Sequence, residues 1–105
     1  MTAEGRIERH EGVLRLLGEV DATSVLELRK QGEQFIQQAG QQPLIIDLSG
    51  LSTAHTVVLS LLLCWHRLAL SLQGQLSFTG ASDRLVSLAA LSSLQNQLPG
   101  FSPQS

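Results

Sequence analysis

The stretch Leu44-Ile45-Ile46-Asp47-Leu48-Ser49, followed by Ser52-Thr53-Ala54-His55-Thr56 and a long apolar run from Val57, decides how this chain folds. An unbroken aliphatic run that closes on an aspartate and a polar turn has the pattern of a buried parallel strand. The turn beyond the carboxyl end of such a strand is where open α/β sheets place their functional groups. The spacing therefore predicts a central strand, a functional loop ending near Thr56, and a helix that starts there.

On the N-terminal side, residues 7–10 and 13–17 are two short apolar-rich runs separated by Glu11-Gly12, the pattern of an antiparallel hairpin. Leu14, Leu16, Gly18 and Val20 alternate with Arg15 and Glu19, as in a sheet with one well-buried face. A helix is predicted from about Thr23, capped by Asp21 or Ser24, with Ser24-Val25-Leu26-Glu27 spaced as a capping box. Val25, Leu28, Phe35, Ile36 and Ala39 form its apolar side, and Glu27, Lys30, Gln31, Gln34 and Gln38 its wet side. Gly40 stops it, and Pro43 opens the central strand.

On the C-terminal side, a helix is predicted over residues 56–73, ended by Gly74, with Thr56 as the candidate N-cap. Leu76, Phe78 and Thr79 mark a second interior strand, and Ser82-Asp83 start a third helix with Leu85, Val86, Leu88 and Ala89 on its apolar face. A hairpin followed twice by helix then strand specifies an α/β fold: a mixed β-sheet of about four strands, its later strands parallel, with about three main helices. Residues 1–98 make a single domain, and residues 99–105, with two prolines, are expected to be a flexible tail.

Composition narrows the function. Seven basic and nine acidic residues give a net charge of -2, and the basic ones are scattered, so no stripe exists to neutralise nucleic-acid phosphates. Cys64 is the single cysteine, which excludes an intramolecular disulfide and a thiolate zinc cage and suits a reducing cytoplasm. The first residues lack the apolar core of a signal peptide, so export by that route is not expected. Residues 57–72 fall short of the roughly 20 a membrane span needs and carry His66 and Arg67 at their middle. No GxSxG elbow, glycine-rich phosphate loop or HExxH pair is present, and His10, His55 and His66 are too dispersed for a metal site, so neither catalysis, metal nor cofactor is expected.

Stepping about 100° per residue along the long helix gathers Val57, Leu68, Leu61, Leu72, Trp65, Val58, Ala69 and Leu62 on a core face. Ser60, Cys64, Arg67 and Ser71 form a narrow polar stripe. Beside it runs a second apolar row, Leu59, Leu63 and Leu70, with His66 next to it. That row either packs on a neighbouring helix or, with the stripe, makes a docking surface.

These pieces resemble the STAS domain family, the fold of bacterial anti-sigma-factor antagonists. Leu14-Arg15-Leu16-Leu17-Gly18-Glu19-Val20-Asp21 is similar to the family's L-x-G-E-(L/V)-D approach to its first helix, and Ile45-Ile46-Asp47-Leu48-Ser49 to its central strand. Thr56-Val57-Val58-Leu59-Ser60-Leu61-Leu62-Leu63 is similar to the family's D-(S/T)-(S/G)-G-L-x-x-L-L helix start, and the likeness spans residues 6–98. Leu59-Ser60-Leu61-Leu62-Leu63-Cys64 and Leu28-Arg29-Lys30-Gln31-Gly32 resemble in particular the MlaB-like branch, the cytoplasmic STAS subunits of phospholipid ABC transporters. The resemblance implies a STAS fold and a non-enzymatic subunit that binds the transporter's ATPase, peripheral to the inner membrane and touching it only through the complex. The contact residues expected are Ser52, Thr53, His55, Thr56, Leu59, Ser60, Leu63 and Arg67.

The resemblance also places Thr56 on the hydroxyl that antagonists of sigma regulation use as phosphoacceptor, which defines the alternative: a phosphorylation-switched anti-sigma factor antagonist. Here His55 stands in place of the family's preceding aspartate, and Val57 and Val58 in place of its small residues. Bulky β-branched side chains restrict close approach, and the missing carboxylate changes the field a kinase would meet.

Overall fold

The computed structural model describes residues 4–52, 54–92 and 98. β1 (Arg6–His10) and β2 (Val13–Leu17) form the expected antiparallel hairpin. Its turn places Glu11 at φ 38° and Gly12 at φ 85°, and of the two only the glycine adopts a positive φ without a steric cost. Then come α1 (Val25–Ala39), β3 (Pro43–Asp47), α2 (Thr56–Ser71), β4 (Gln75–Thr79) and α3 (Asp83–Leu91). β2, β3 and β4 are parallel neighbours, and the order across the sheet is β1-β2-β3-β4, the order of the sequence itself.

That order determines where the helices lie. Two crossovers of the same hand that each advance one strand in the same direction put α1 and α2 on one face of the sheet, where they pack against each other, with α3 beside α2. The core sits between these helices and Leu14, Leu16, Leu44, Ile46, Leu76 and Phe78 of the strands. The opposite face carries Glu8, Arg15, Ile45, Asp47 and Ser77. The central strand is therefore buried on one side: Leu44 and Ile46 are 6% and 0% exposed, whereas Ile45 between them is 40% exposed. An aliphatic run reads as two-sided burial only when helices cover both faces.

The helix ends depart from expectation in three places. Ser24 makes no side-chain bond to the amides after it, so the box expected at 24–27 does not form. It is shifted one turn earlier: Asp21 Oδ1 accepts from Thr23 N and Ser24 N at 3.0 and 2.9 Å, and Ser24 Oγ accepts from Asp21 N at 3.1 Å. Thr56 is not the N-cap of α2; His55 is, in extended conformation. At the far end of α2, Gln73 takes the left-handed position at φ 60°, with Gln73 N bonding Leu70 O and Gly74 N bonding Ala69 O, a Schellman arrangement. Gly74 is required one place later, where a Cβ would meet the carbonyl oxygen of Gly40. Ser82 caps α3 as expected, its Oγ accepting from Leu85 N at 3.1 Å.

α1 and α2 meet through a contact that helical spacing did not reveal. Gly32 is buried against the indole of Trp65, leaving no room for a Cβ, and Trp65 Nε1 donates to Arg29 O at 3.2 Å. Residues 99–105, expected to be a flexible tail, lie outside the described residues; Leu98 is buried at 1% exposure.

Candidate functional site

The parallel strands all end at one edge of the sheet, and the loops β2–α1, β3–α2 and β4–α3 gather there. The β3–α2 loop is held first at its base. Leu48 N donates to Thr79 O at 2.7 Å, tying it to the end of β4. On the other side Gly18 N donates to Gly50 O and Ser52 N to Gly18 O, at 3.0 and 2.9 Å, extending β2 alongside the loop.

Asp47 occupies the floor of this loop. Its Oδ1 accepts from Ser49 N at 2.9 Å, and its Oδ2 lies 3.6 Å from Arg15 Nε on the open face of the sheet. The bond from the Ser49 amide and then the Ser49 hydroxyl hold the Asp47 carboxyl below its usual range, against an opposing effect of burial that itself exceeds the help from the Arg15 charge. Gly80, at φ 75°, covers the same spot: a Cβ there would lie 2.8 Å from Oδ1 and 2.9 Å from Ser49 N.

The second half of the loop climbs to the start of α2. Ser52, His55 and Thr56 are all exposed there, and Thr53 lies outside the described residues. The His55 side chain caps nothing, α2 has no acidic residue in its first turn, and Val58 N closes a tight turn onto His55 O at 3.0 Å. Among the described residues the Thr56 hydroxyl has no hydrogen-bond partner. The hydroxyl is exposed at the positive end of a helix, where a group from solvent can reach it.

Down the helix, Thr56, Ser60, Leu63 and Arg67 follow at intervals of four, three and four residues and so form one ridge. Thr56, Ser60 and Arg67 are exposed and Leu63 is half-buried against the core. Eleven residues of helix put Arg67 about 16 Å from Thr56, so the ridge offers an extended contact rather than a pocket. Leu59 does not belong to it. It was expected among the contact residues, but its side chain is 1% exposed and part of the core, because the core packs against α2 at that level of the helix. The second apolar row is thus divided: Leu59 inside, Leu63 half-buried, Leu70 60% exposed. His66 is half-buried, its Nδ1 lacks a partner among the described residues, and desolvation holds its pKa below the usual histidine value.

Sequence reasoning grouped Ser60 and Arg67 in a stripe with Cys64 and Ser71, and Leu63 in a separate row with Leu59 and Leu70, and it missed Gly80 as the cover of the Asp47–Ser49 bond; the signal available was a glycine directly after a strand. A cleft lined by Glu4, Gly5, Thr23, Glu27 and Gln31 among others lies at the start of α1 rather than at Thr56. Among the described residues no three His, Cys, Asp or Glu side chains are grouped to hold a metal ion, and no helix is long and apolar enough to cross a membrane.

Known proteins share this fold. The chain is similar to the anti-sigma factor antagonist SpoIIAA in its unphosphorylated form, at 22% identity over 92% of this chain and 87% of that one, with a TM-score of 0.71. An anti-sigma factor antagonist from Mycobacterium paratuberculosis matches at 21% identity over 95% and 86% of the two chains, with a TM-score of 0.68. An anti-sigma-factor antagonist (STAS) domain protein from Planctomyces limnophilus matches at 17% identity over 97% and 92%, with a TM-score of 0.70. At these identities the likeness establishes the fold. No curated protein matches in sequence. The family model described as "Mlab, STAS domain" matches residues 4–100, nearly the whole chain, and this protein belongs to the MlaB-type STAS domain family.

Proposed function

We propose that this chain is a non-enzymatic STAS subunit that binds the ATPase subunit of an ABC transporter for phospholipids and supports its assembly or activity. It acts from the cytoplasm, peripheral to the inner membrane through that complex. The contact is made by Ser52, Thr53, His55 and Thr56 at the loop and by Ser60, Leu63 and Arg67 along the ridge. The observation that carries the reading is the exposed Thr56 hydroxyl, without a hydrogen-bond partner among the described residues, at the head of a helix that the His55 side chain does not cap. Membership of the MlaB-type family supports a transporter partner over other STAS partners. The test is co-purification with the transporter's ATPase subunit. Thr56→Arg, which places a long cation at the centre of the contact, is expected to cost about 2 kcal/mol or more of binding and to deplete the complex visibly. An undiminished complex overturns the reading.

The similarity to sigma-factor antagonists keeps a second reading in play, a switch phosphorylated at Thr56. About two added negative charges at the head of α2 are tolerated by the free amides there, yet oppose an acidic partner. Mass spectrometry after incubation with a cognate serine kinase decides it: Thr56 without phosphate leaves nothing to switch.

A further inference from the structure

We propose that Asp47 is a positioning residue for partner binding: by accepting from the Ser49 amide beneath Gly80, it sets the path on which the β3–α2 loop carries Thr56 to the surface. This inference rests on the docking reading above and adds a residue that itself meets no partner.

The reasoning starts from what fails to fix the loop at its far end. α1 is pinned at its start by the Asp21–Ser24 box and α3 by the Ser82 hydroxyl, but the His55 side chain makes no capping bond to α2. Among the described residues the loop is therefore held from the strand end, by the Asp47 carboxylate and by the Gly18 bonds to Gly50 and Ser52. There the Ser49 amide has one direction, onto Asp47 Oδ1 at 2.9 Å. The second carboxylate oxygen faces Arg15 Nε at 3.6 Å, which orients the group and leaves Oδ1 for Ser49. Gly80 seals the arrangement from the β4–α3 loop: a Cβ would come within 2.8 Å of Oδ1 and 3.0 Å of Ser49 Cβ, so that loop lies directly on the bond. The same turn thus joins three strand ends and, with the Gly18 bonds, sets where the loop leaves the sheet towards Thr56.

The chemistry at work is that of a hydrogen-bond acceptor. An asparagine keeps an acceptor oxygen in the same place, whereas an alanine leaves the Ser49 amide without one. Affinity for the purified ATPase subunit of the candidate transporter is measured for the unmodified chain, Asp47→Asn and Asp47→Ala, together with amide hydrogen exchange of each free chain. Asp47→Ala is expected to weaken binding about tenfold, the factor that about 1.4 kcal/mol represents. It should speed exchange in residues 49–56 while leaving the core amides of Leu44 and Ile46 protected. Asp47→Asn should restore most of both losses. Gly80→Ala, which strikes the bond from above with Asp47 intact, should reproduce the alanine effect and serves if Asp47→Ala does not fold. The proposal is overturned if Asp47→Ala binds like the unmodified chain, if Asp47→Asn fails as badly as alanine, or if loop exchange does not change. An unmodified chain that does not bind the ATPase refutes the docking reading instead, and the exchange arm still decides whether Asp47 sets the loop.

Discussion

Gly32→Ala sets two effects of known size against each other at one buried point. In the interior of a helix such as α1, replacing glycine by alanine ordinarily stabilises by about 1 kcal/mol, since glycine loses the most backbone freedom on folding. Here the new methyl falls on Cε2, Cζ2 and Nε1 of Trp65, a side chain 1% exposed and closed in by the rest of the core. Moving the indole away overpacks its other side, at about 1–3 kcal/mol. It also draws Nε1–H from the Arg29 carbonyl at 3.2 Å, and a buried donor left unpaired costs about 1–3 kcal/mol more. The two costs exceed the gain, so the expected net loss is about 3 kcal/mol, or roughly 12–24 °C in Tm for a domain of this size. Urea and thermal unfolding followed by far-UV circular dichroism measure it. Trp65→Phe, which removes the part of the ring that Gly32 faces, should make the added methyl less damaging in a double-mutant cycle. If Gly32→Ala unfolds at the same or higher urea concentration than the unmodified chain, the packing argument is wrong.

Leu59→Ala should cost about 2–5 kcal/mol, as for other fully buried leucines, while Leu70→Ala, at 60% exposure, should stay within about 0.5 kcal/mol; the same denaturation assay separates them. Ser82→Ala removes the acceptor for Leu85 N and is expected to cost about 1 kcal/mol, concentrated in earlier amide exchange of α3. His66 has its pKa lowered in the folded state, so its contribution to stability is present above the unfolded value of about 6.5 and declines as pH falls towards the folded value. Urea midpoints of the unmodified chain should therefore drop between about pH 7 and pH 5 more than those of His66→Gln. Asp21 and Asp47 also have lowered pKa values, so the stability they supply is present above about pH 4 and lost below it as each is protonated; Asp47→Asn should flatten that acid limb.

Most of the fold was legible because its signals are local. Glu11-Gly12 between apolar runs gave the hairpin, Gly40 and Pro43 bracketed the step from helix to strand, and Ser82 read correctly as a cap. What escaped depends on what lies opposite a residue. The angle of Leu59 on α2 was known, but nothing in its spacing says that core stands there while Leu70, close in angle and three turns on, meets solvent. The same gap hid the Gly32–Trp65 contact, which joins residues far apart in sequence. The capping motif was found one turn late because Asp21 and Ser24 both suit the role, and the sequence contains no record of which one the amides turn to. Thr56 was placed within one residue of its position, and its exposure, which the docking idea needs, emerged only from the folded loop.

Strands that lie across the sheet in the order in which they are made carry a consequence for synthesis. As the chain leaves the ribosome, the hairpin is complete before α1 emerges, and each later helix and strand then adds to the growing margin. Among the described residues no late segment has to part strands already joined, so the sheet is built by accretion, with Gln75–Thr79 following the other three strands.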